Sequence, residues 1–371
     1  MLRPLFLILA LSLSTAFAKD CPEHLLKSDQ RQKQAAELGL NPAENSDFSI
    51  RRVQRSNAYA YLDQDGSRIT SQRVLTRIEG LHIAPGLSDV RISADSKSHI
   101  QAIGIDAHGH PQYIYHPLWL EVRRTVKFDN SLPAFGKALP ILRQVVTNDL
   151  RTSDLSLAHI SAAIVRLLDD TLIRIGSKEY AEENKTYGLT TLLKSHVHVD
   201  GDVVTFSFLG KSSVRHKIPY TSAPIAKLIR QLLDVPGANL FKWVDEDGPH
   251  EITAADVNAY IRDALQADFT AKDFRTWGGT VAAAEFLHSA PTPDNERDLK
   301  HTLNAAAQAT ADLLENTPAV SRSSYIHPEI FKLYSEDPDA FAAAFTKAQR
   351  RLDRGATGRS LAEEAVLNII I

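Results

Sequence analysis

The sequence predicts an α+β protein in two parts: a small, mostly antiparallel β-sheet domain towards the amino terminus, then a larger, mainly α-helical domain with a β-hairpin. Three observations predict it. Between Ser49 and Tyr115, short β-branched and aromatic runs alternate with turn residues. Beyond Pro117 the apolar period lengthens from two residues to the helical spacing. A length of 371 residues exceeds one ordinary domain, while 43% hydrophobic and 23% charged residues describe a folded chain.

Taken in order, Arg3, the apolar run Leu5–Leu11 and the small residues of Ala16-Phe17-Ala18 read as a secretory signal over residues 1–18, too short for a membrane span. Asp20 before Cys21 does not suit a lipoprotein cleavage site, and a single cysteine excludes an intramolecular disulfide. Residues 19–46 read as a polar tether with a short helical pattern from Asp29 to Leu40, closed by Asn41-Pro42. The β-rich domain is expected over 47–123. Its strands are Ala58–Leu62, Asp89–Ser93, Ile100–Ile105 and Gln112–Tyr115, with a helix over Ser71–Leu81.

The helical domain is expected over 124–354. Amphipathic stretches fall at Leu118–Phe128, Ala134–Leu150, Leu157–Ile173, Pro224–Leu233, Ala254–Leu265, Thr280–Leu287, Glu296–Leu314 and Asp339–Arg354. The hairpin joins His196–Val199 to Val203–Leu209 through Asp200-Gly201-Asp202 and leads into Gly210-Lys211. Residues 355–371 read as a tail ending in Ile369-Ile370-Ile371, for which the sequence suggests no function.

A net charge of −3 is unusual for a protein that grips phosphates, yet local sign matters more. Basic residues cluster at Arg51, Arg52 and Arg55, and again at Lys211, Arg215 and Lys217. A metal-free phosphodiester chemistry needs fixed cations around the non-bridging oxygens, and forked guanidiniums suit it best. Arg174, after the run Leu167–Ile173, and Arg275, in Lys272-Asp273-Phe274-Arg275-Thr276-Trp277, are candidates in apolar settings. Each could equally cap a helix end or pair with a carboxylate, and Lys211 could simply protect a hairpin edge. Nothing local marks one of the ten tyrosines as a nucleophile. His196 and His198 alternate on one expected strand without a carboxylate cluster, which favours a surface role over a metal site. No Gly-rich loop followed by Lys-Ser/Thr supports nucleotide hydrolysis.

Together, the motifs resemble the type IB DNA topoisomerases, in particular a bacterial branch akin to the poxvirus enzyme. The resemblance runs from about Ile50 to Tyr334. It rests on Gln112–Pro117, Leu172-Ile173-Arg174-Ile175-Gly176, Tyr180, Tyr187–Leu192, Phe208–Ser212, Asp256–Tyr260, Phe269–Trp277 and Asn316–Pro328. It implies that Tyr325, in Ser-Tyr-Ile-His-Pro, is the nucleophile joined to a 3′ phosphate, and that Arg174 and Arg275 hold the scissile phosphate. Lys211 would protonate the departing 5′ oxygen with help from Arg174, supported by Lys272 and Tyr180. Asn316 stands where the poxvirus and eukaryotic enzymes have His; its amide can still donate to a phosphate oxygen. Arg51, Arg52, Arg55 and Arg215 would contact DNA.

The resemblance further implies double-stranded DNA as partner, no metal or nucleotide cofactor, action as a monomer and no membrane attachment once a leader is removed. Three departures stand out: Ser56-Asn57 where relatives carry Gly, Ser323-Ser324 where basic residues are usual, and the acidic total charge. They predict weaker, more salt-sensitive DNA binding. The leader points to export, whereas the family points to the cytoplasm or nucleoid. Two other readings remain: a tyrosine recombinase, disfavoured by Lys272 where recombinases place His, and an exported DNA-binding protein without useful catalysis.

Overall fold

A computed structural model describes residues 33, 35–55, 58–355 and 357–371. The signal reading of 1–18, Cys21, most of the tether and the Ser56-Asn57 departure lie outside the described residues. The chain divides into two compact units, Met1–Lys127 and Phe128–Ile371.

The first unit is built on an antiparallel five-stranded sheet: β1 (Ile50–Arg55), β2 (Ala58–Leu62), β3 (Ser88–Ile92), β4 (Ile100–Ile105) and β5 (Pro111–Tyr115), ordered β2-β1-β3-β4-β5. Strands β2 to β5 stand where the alternation predicts them. The pattern conceals β1, whose Ile-Arg-Arg-Val-Gln-Arg looks like a basic patch because only one face meets apolar neighbours. That face carries Ile50, packed with Val90, Ile92, Ala102 and Ile78 of helix α1 (Gln72–Gly80). Helix α2 (Pro117–Thr125) starts on Pro at its first position behind His116, whose Nδ1 accepts the Leu118 amide, and buries Trp119 completely.

The second unit is mainly helical. Helices α3 (Leu132–Asp149), α4 (Leu157–Thr171) and α8 (Ala271–Ser289) bring their apolar faces into one core. Phe135 sits edge-on between Phe269 and Phe274 at 5.4 and 5.0 Å, the kind of packing whose truncation costs about 3–5 kcal/mol. Between α4 and α8 lie α5 (Lys178–Asn184), strands β6 (Val197–Asp200), β7 (Val203–Leu209) and β8 (Arg215–Thr221), α6 (Ala223–Asp234), the hairpin of β9 (Lys242–Asp245) and β10 (Gly248–Glu251), and α7 (Ala254–Leu265). Beyond α8 come α9 (Glu296–Leu314), α10 (Pro318–Ser324), α11 (Pro328–Glu336), α12 (Pro338–Leu352) and α13 (Leu361–Ile370).

Several sequence expectations change here. The hairpin is a three-stranded sheet, because β8 pairs with β7 from Val203↔Thr221 to Leu209↔Arg215. His196 ends a 3-10 turn rather than entering the strand, and its Nδ1 accepts the Leu193 amide, so it does not share a strand face with His198. Helix α8 begins nine residues before the expected Thr280, which places Lys272 and Arg275 on a helix where the sequence pattern indicates no element. The expected tail contains α13. Ser360 caps it in a reciprocal box with Glu363, and Ala365, Val366 and Leu367 sink into the core.

Candidate active site

Arg174 follows α4, where Leu172 turns the chain in the left-handed region (φ 55°). Residues 174–176 are then pinned against Gly188–Thr190. Leu189 donates to the Arg174 carbonyl at 2.9 Å and Thr190 to that of Ile175 at 2.8 Å. The two backbones approach so closely that a Cβ on Gly188 would lie 2.5 Å from the Arg174 oxygen, while Gly176 takes φ 99°. The guanidinium therefore leaves a rigid turn. Its Nη2 donates to Asn316 Oδ1 at 2.9 Å and to the Glu315 carbonyl at 3.3 Å.

Arg275 comes from the second turn of α8 and is only 6% exposed. One Nη donates to the Leu172 carbonyl and the other to that of Leu314 at 2.6 Å, so this side chain ties together the carboxyl ends of α4 and α9. Helix carboxyl ends carry partial negative charge and suit a cation. Burial lowers the Arg275 pKa to about 10, helped by the nearby Arg174 charge and opposed by the Tyr325 side chain. At that value it remains a cation at neutral pH.

Tyr325 ends α10, its ring 5.6 Å from the Arg275 guanidinium carbon. Two glycines explain how its backbone reaches α8. A Cβ on Gly279 would meet the Tyr325 carbonyl at 3.0 Å, and one on Gly278 would meet Leu172 at 2.5 Å. Glycine inside a helix costs about 1 kcal/mol relative to Ala, so Gly278-Gly279 is a packing device that seats the Arg174 turn and the Tyr325 turn on one helix. Thr280 Oγ1 lies 3.1 Å from the Tyr325 carbonyl and accepts the His327 amide at 3.1 Å. The sequence signal for this packing is Trp277-Gly278-Gly279-Thr280.

Lys211 begins the loop between β7 and β8, where Ser212 and Ser213 both take positive φ (62° and 58°) and Gly210 donates to the Val214 carbonyl at 2.8 Å. One cavity of about 470 Å³ is lined by Arg174, Tyr180, Lys211, Lys272, Arg275 and Tyr325, with Ser177 and Tyr187 among its other walls. Six of the residues singled out from the sequence thus share one pocket. Asn316 supports Arg174 from behind. With Oδ1 accepting from Arg174, its Nδ2 is buried without a hydrogen-bond partner among the described residues.

The remaining candidates stand elsewhere. Arg215 is exposed at the start of β8, with its neighbour His216 turned inward. Arg51 and Arg55 are exposed on β1. Arg52 faces the other way: its guanidinium stacks on Tyr59 at 4.2 Å and donates to the carbonyls of Ile83, Ala84 and Leu87, the last at 2.7 Å. That guanidinium fastens the loop before β3. Among the described residues no group of three or more His, Cys, Asp or Glu could hold a metal ion, and no helix is long and apolar enough to cross a membrane.

Comparison with known proteins gives the same outline. Residues 121–352 match the catalytic core of eukaryotic DNA topoisomerase I, and residues 58–106 match the N-terminal domain of bacterial DNA topoisomerase IB. The chain is 31% identical over 300 residues to DNA topoisomerase 1B of Acanthamoeba polyphaga mimivirus, an alignment covering 79% of this chain and 89% of the viral one. It is 23% identical over 245 residues to DNA topoisomerase 1B of Vaccinia virus (strain Copenhagen), covering 63% and 72%. A catalytic-core match across most of the second unit, and a relative aligned over most of both chains, place this protein in a family: it belongs to the type IB DNA topoisomerases and is an isomerase.

Proposed function

We propose that this protein relaxes supercoiled duplex DNA by cutting one strand through a 3′-phosphotyrosine on Tyr325, letting the free end rotate and resealing it. The observation that carries the reading is the convergence of Tyr325, Arg174, Arg275, Lys211 and Lys272 on one cavity. The Tyr325 oxygen attacks the phosphorus in line with the departing 5′ oxygen, whose bond breaks as the new P–O bond forms. Charge grows on the non-bridging oxygens, where the two guanidiniums and the Asn316 amide are pre-set donors. Because Arg174 donates to an amide oxygen and a helix-end carbonyl, and Arg275 to two helix-end carbonyls, none of them a carboxylate, an incoming phosphate is a better partner than the ones they have. Lys211 supplies the proton for the 5′ oxygen, assisted by Lys272 and Tyr180. Religation is the reverse. The phosphotyrosine conserves the bond energy, so the reaction uses no nucleotide cofactor, and one copy of the chain suffices.

Arg51, Arg55 and Arg215, exposed on their strands, supply sequence-independent phosphate contacts whose affinity falls with salt. The test is relaxation of positively and negatively supercoiled plasmid in EDTA without ATP. Both substrates should relax, and Tyr325→Phe should relax neither. An unmutated protein that binds plasmid at low salt yet leaves its supercoiling unchanged would reduce the reading to DNA binding.

A further inference from the structure

Behind the cavity lies a pair of side chains that the chemistry above does not use. Glu315 closes α9 in the left-handed region, φ 51°, where a non-glycine residue costs on the order of 1 kcal/mol. Its carboxylate Oε2 lies 2.5 Å from Nε2 of His216, which is buried in β8. His216 stacks on Phe208 with ring centroids 4.4 Å apart, and it fills the space beside Gly210 so fully that a Cβ there would come within 2.1 Å of Nε2. Gly210 immediately precedes Lys211. At the other end of the pair, the Glu315 carbonyl and the adjacent Asn316 both accept from Arg174.

We propose that Glu315 and His216 are positioning residues: their contact is a strut that fixes the Lys211 loop against the turn holding Arg174, so that proton donor and phosphate clamp keep one spacing. The inference rests on the topoisomerase reading above. A residue kept in a costly backbone conformation with a half-buried carboxylate is an arrangement stability alone does not favour. The charged groups facing His216 are Glu315 from the end of α9, Arg174 from the turn after α4 and Arg275 from α8; Phe208 and Gly210 of its own sheet add none. Burial, reinforced by the two arginines, pushes the imidazole down to about 4, so it is neutral at physiological pH, and it meets the carboxylate as a close polar contact in which neither Nε2 nor Oε2 makes a hydrogen bond among the described residues. Burial pushes the Glu315 carboxyl up, against the pull of Arg174 and Arg275.

The experiment uses the full chain and a suicide DNA duplex in two versions, one with the ordinary 5′ oxygen leaving group and one with bridging sulfur at that atom. A thiolate departs without a proton, so only defects in proton delivery are rescued by sulfur. Glu315→Gly removes the carboxylate and suits the left-handed backbone, so it should melt at or above the wild-type temperature. It should nevertheless cleave the oxygen substrate about ten- to a hundredfold more slowly, part of the roughly 10²–10⁴ a general acid supplies, and cleave the sulfur substrate near the wild-type rate. His216→Gln should show the same split. Equal rates for variant and wild type on both substrates, or equal slowing on both, would overturn the strut while leaving the topoisomerase reading intact. A wild-type chain that forms no covalent adduct with either substrate would overturn the reading itself.

Discussion

Helix α8 carries a charged cluster on each side, and the two are built on opposite principles. On one side Arg275 and its neighbour Arg174 are held by backbone carbonyls and an amide, while the Glu315 carboxylate interacts with both electrostatically. On the other, Trp277 Nε1 donates to Glu363 Oε1 at 3.0 Å, and Arg143 forks onto both Asp169 (2.7 and 3.0 Å) and Glu363 (2.8 and 2.9 Å). The close approach is enforced there too, since a Cβ on Gly136 would fall 2.3 Å from the Trp277 ring. A cation already matched by buried carboxylates fastens helices together. A cation left with half-charges keeps its capacity for an anion that arrives later. Burial alone does not tell the two apart, whereas the nature of the partner does.

The comparison can be broken most severely at Tyr325. Tyr325→Phe should abolish covalent adduct formation on denaturing gels while DNA binding, followed by mobility shift, is retained. Next, Arg275→Lys keeps the charge but loses the fork, and should slow single-turnover cleavage about 10²- to 10³-fold; a rate within threefold of wild type would place Arg275 with the structural cluster. On the opposite side, Arg143→Ala should lower stability by about 3–5 kcal/mol in urea titrations, because two buried carboxylates lose their partner, with the cleavage rate per folded molecule unchanged. A smaller effect is expected with pH. Burial pushes the Glu363 carboxyl up, but Arg143, the Ser360 amide and Trp277 outweigh it and leave it below the ordinary carboxylate range. A depressed acid contributes stability that is complete above its unfolded pKa, near 4.3, and is lost as pH falls through the folded value. The melting temperature of wild type should therefore fall below about pH 4 more steeply than that of Glu363→Gln.

Legibility followed physical cause. Strands β2 to β5 announce themselves because one face is apolar and turn residues separate them, whereas β1 and β8 are hidden by Arg and Lys on their exposed positions and, in β8, by His216 on a buried one. The start of α8 is hidden because Gly278-Gly279 and the charged Lys272, Asp273 and Arg275 before them interrupt the helical pattern that begins again at Thr280. In α13 the buried acids Glu363 and Glu364 sit among the apolar residues, so the pattern does not distinguish a core helix from a tail. Arg52 reads like Arg51 and Arg55 in the chain, and only the side of the strand on which it emerges separates them.

The sequence by itself determined the division into a sheet-bearing part and a helical part, and, through motifs spread from Arg174 to Tyr325, which residues to compare with a family. Those are consequences of local periodicity and of residue identity, which the chain carries in one dimension. Only the tertiary structure decided that Arg174, Lys211, Lys272, Arg275 and Tyr325 line a common cavity, that Glu315 meets His216, and that Arg143 belongs to the scaffold. Each of these joins residues tens to hundreds of positions apart through glycine close approaches and helix-end carbonyls, and such contacts leave no periodic trace in the chain.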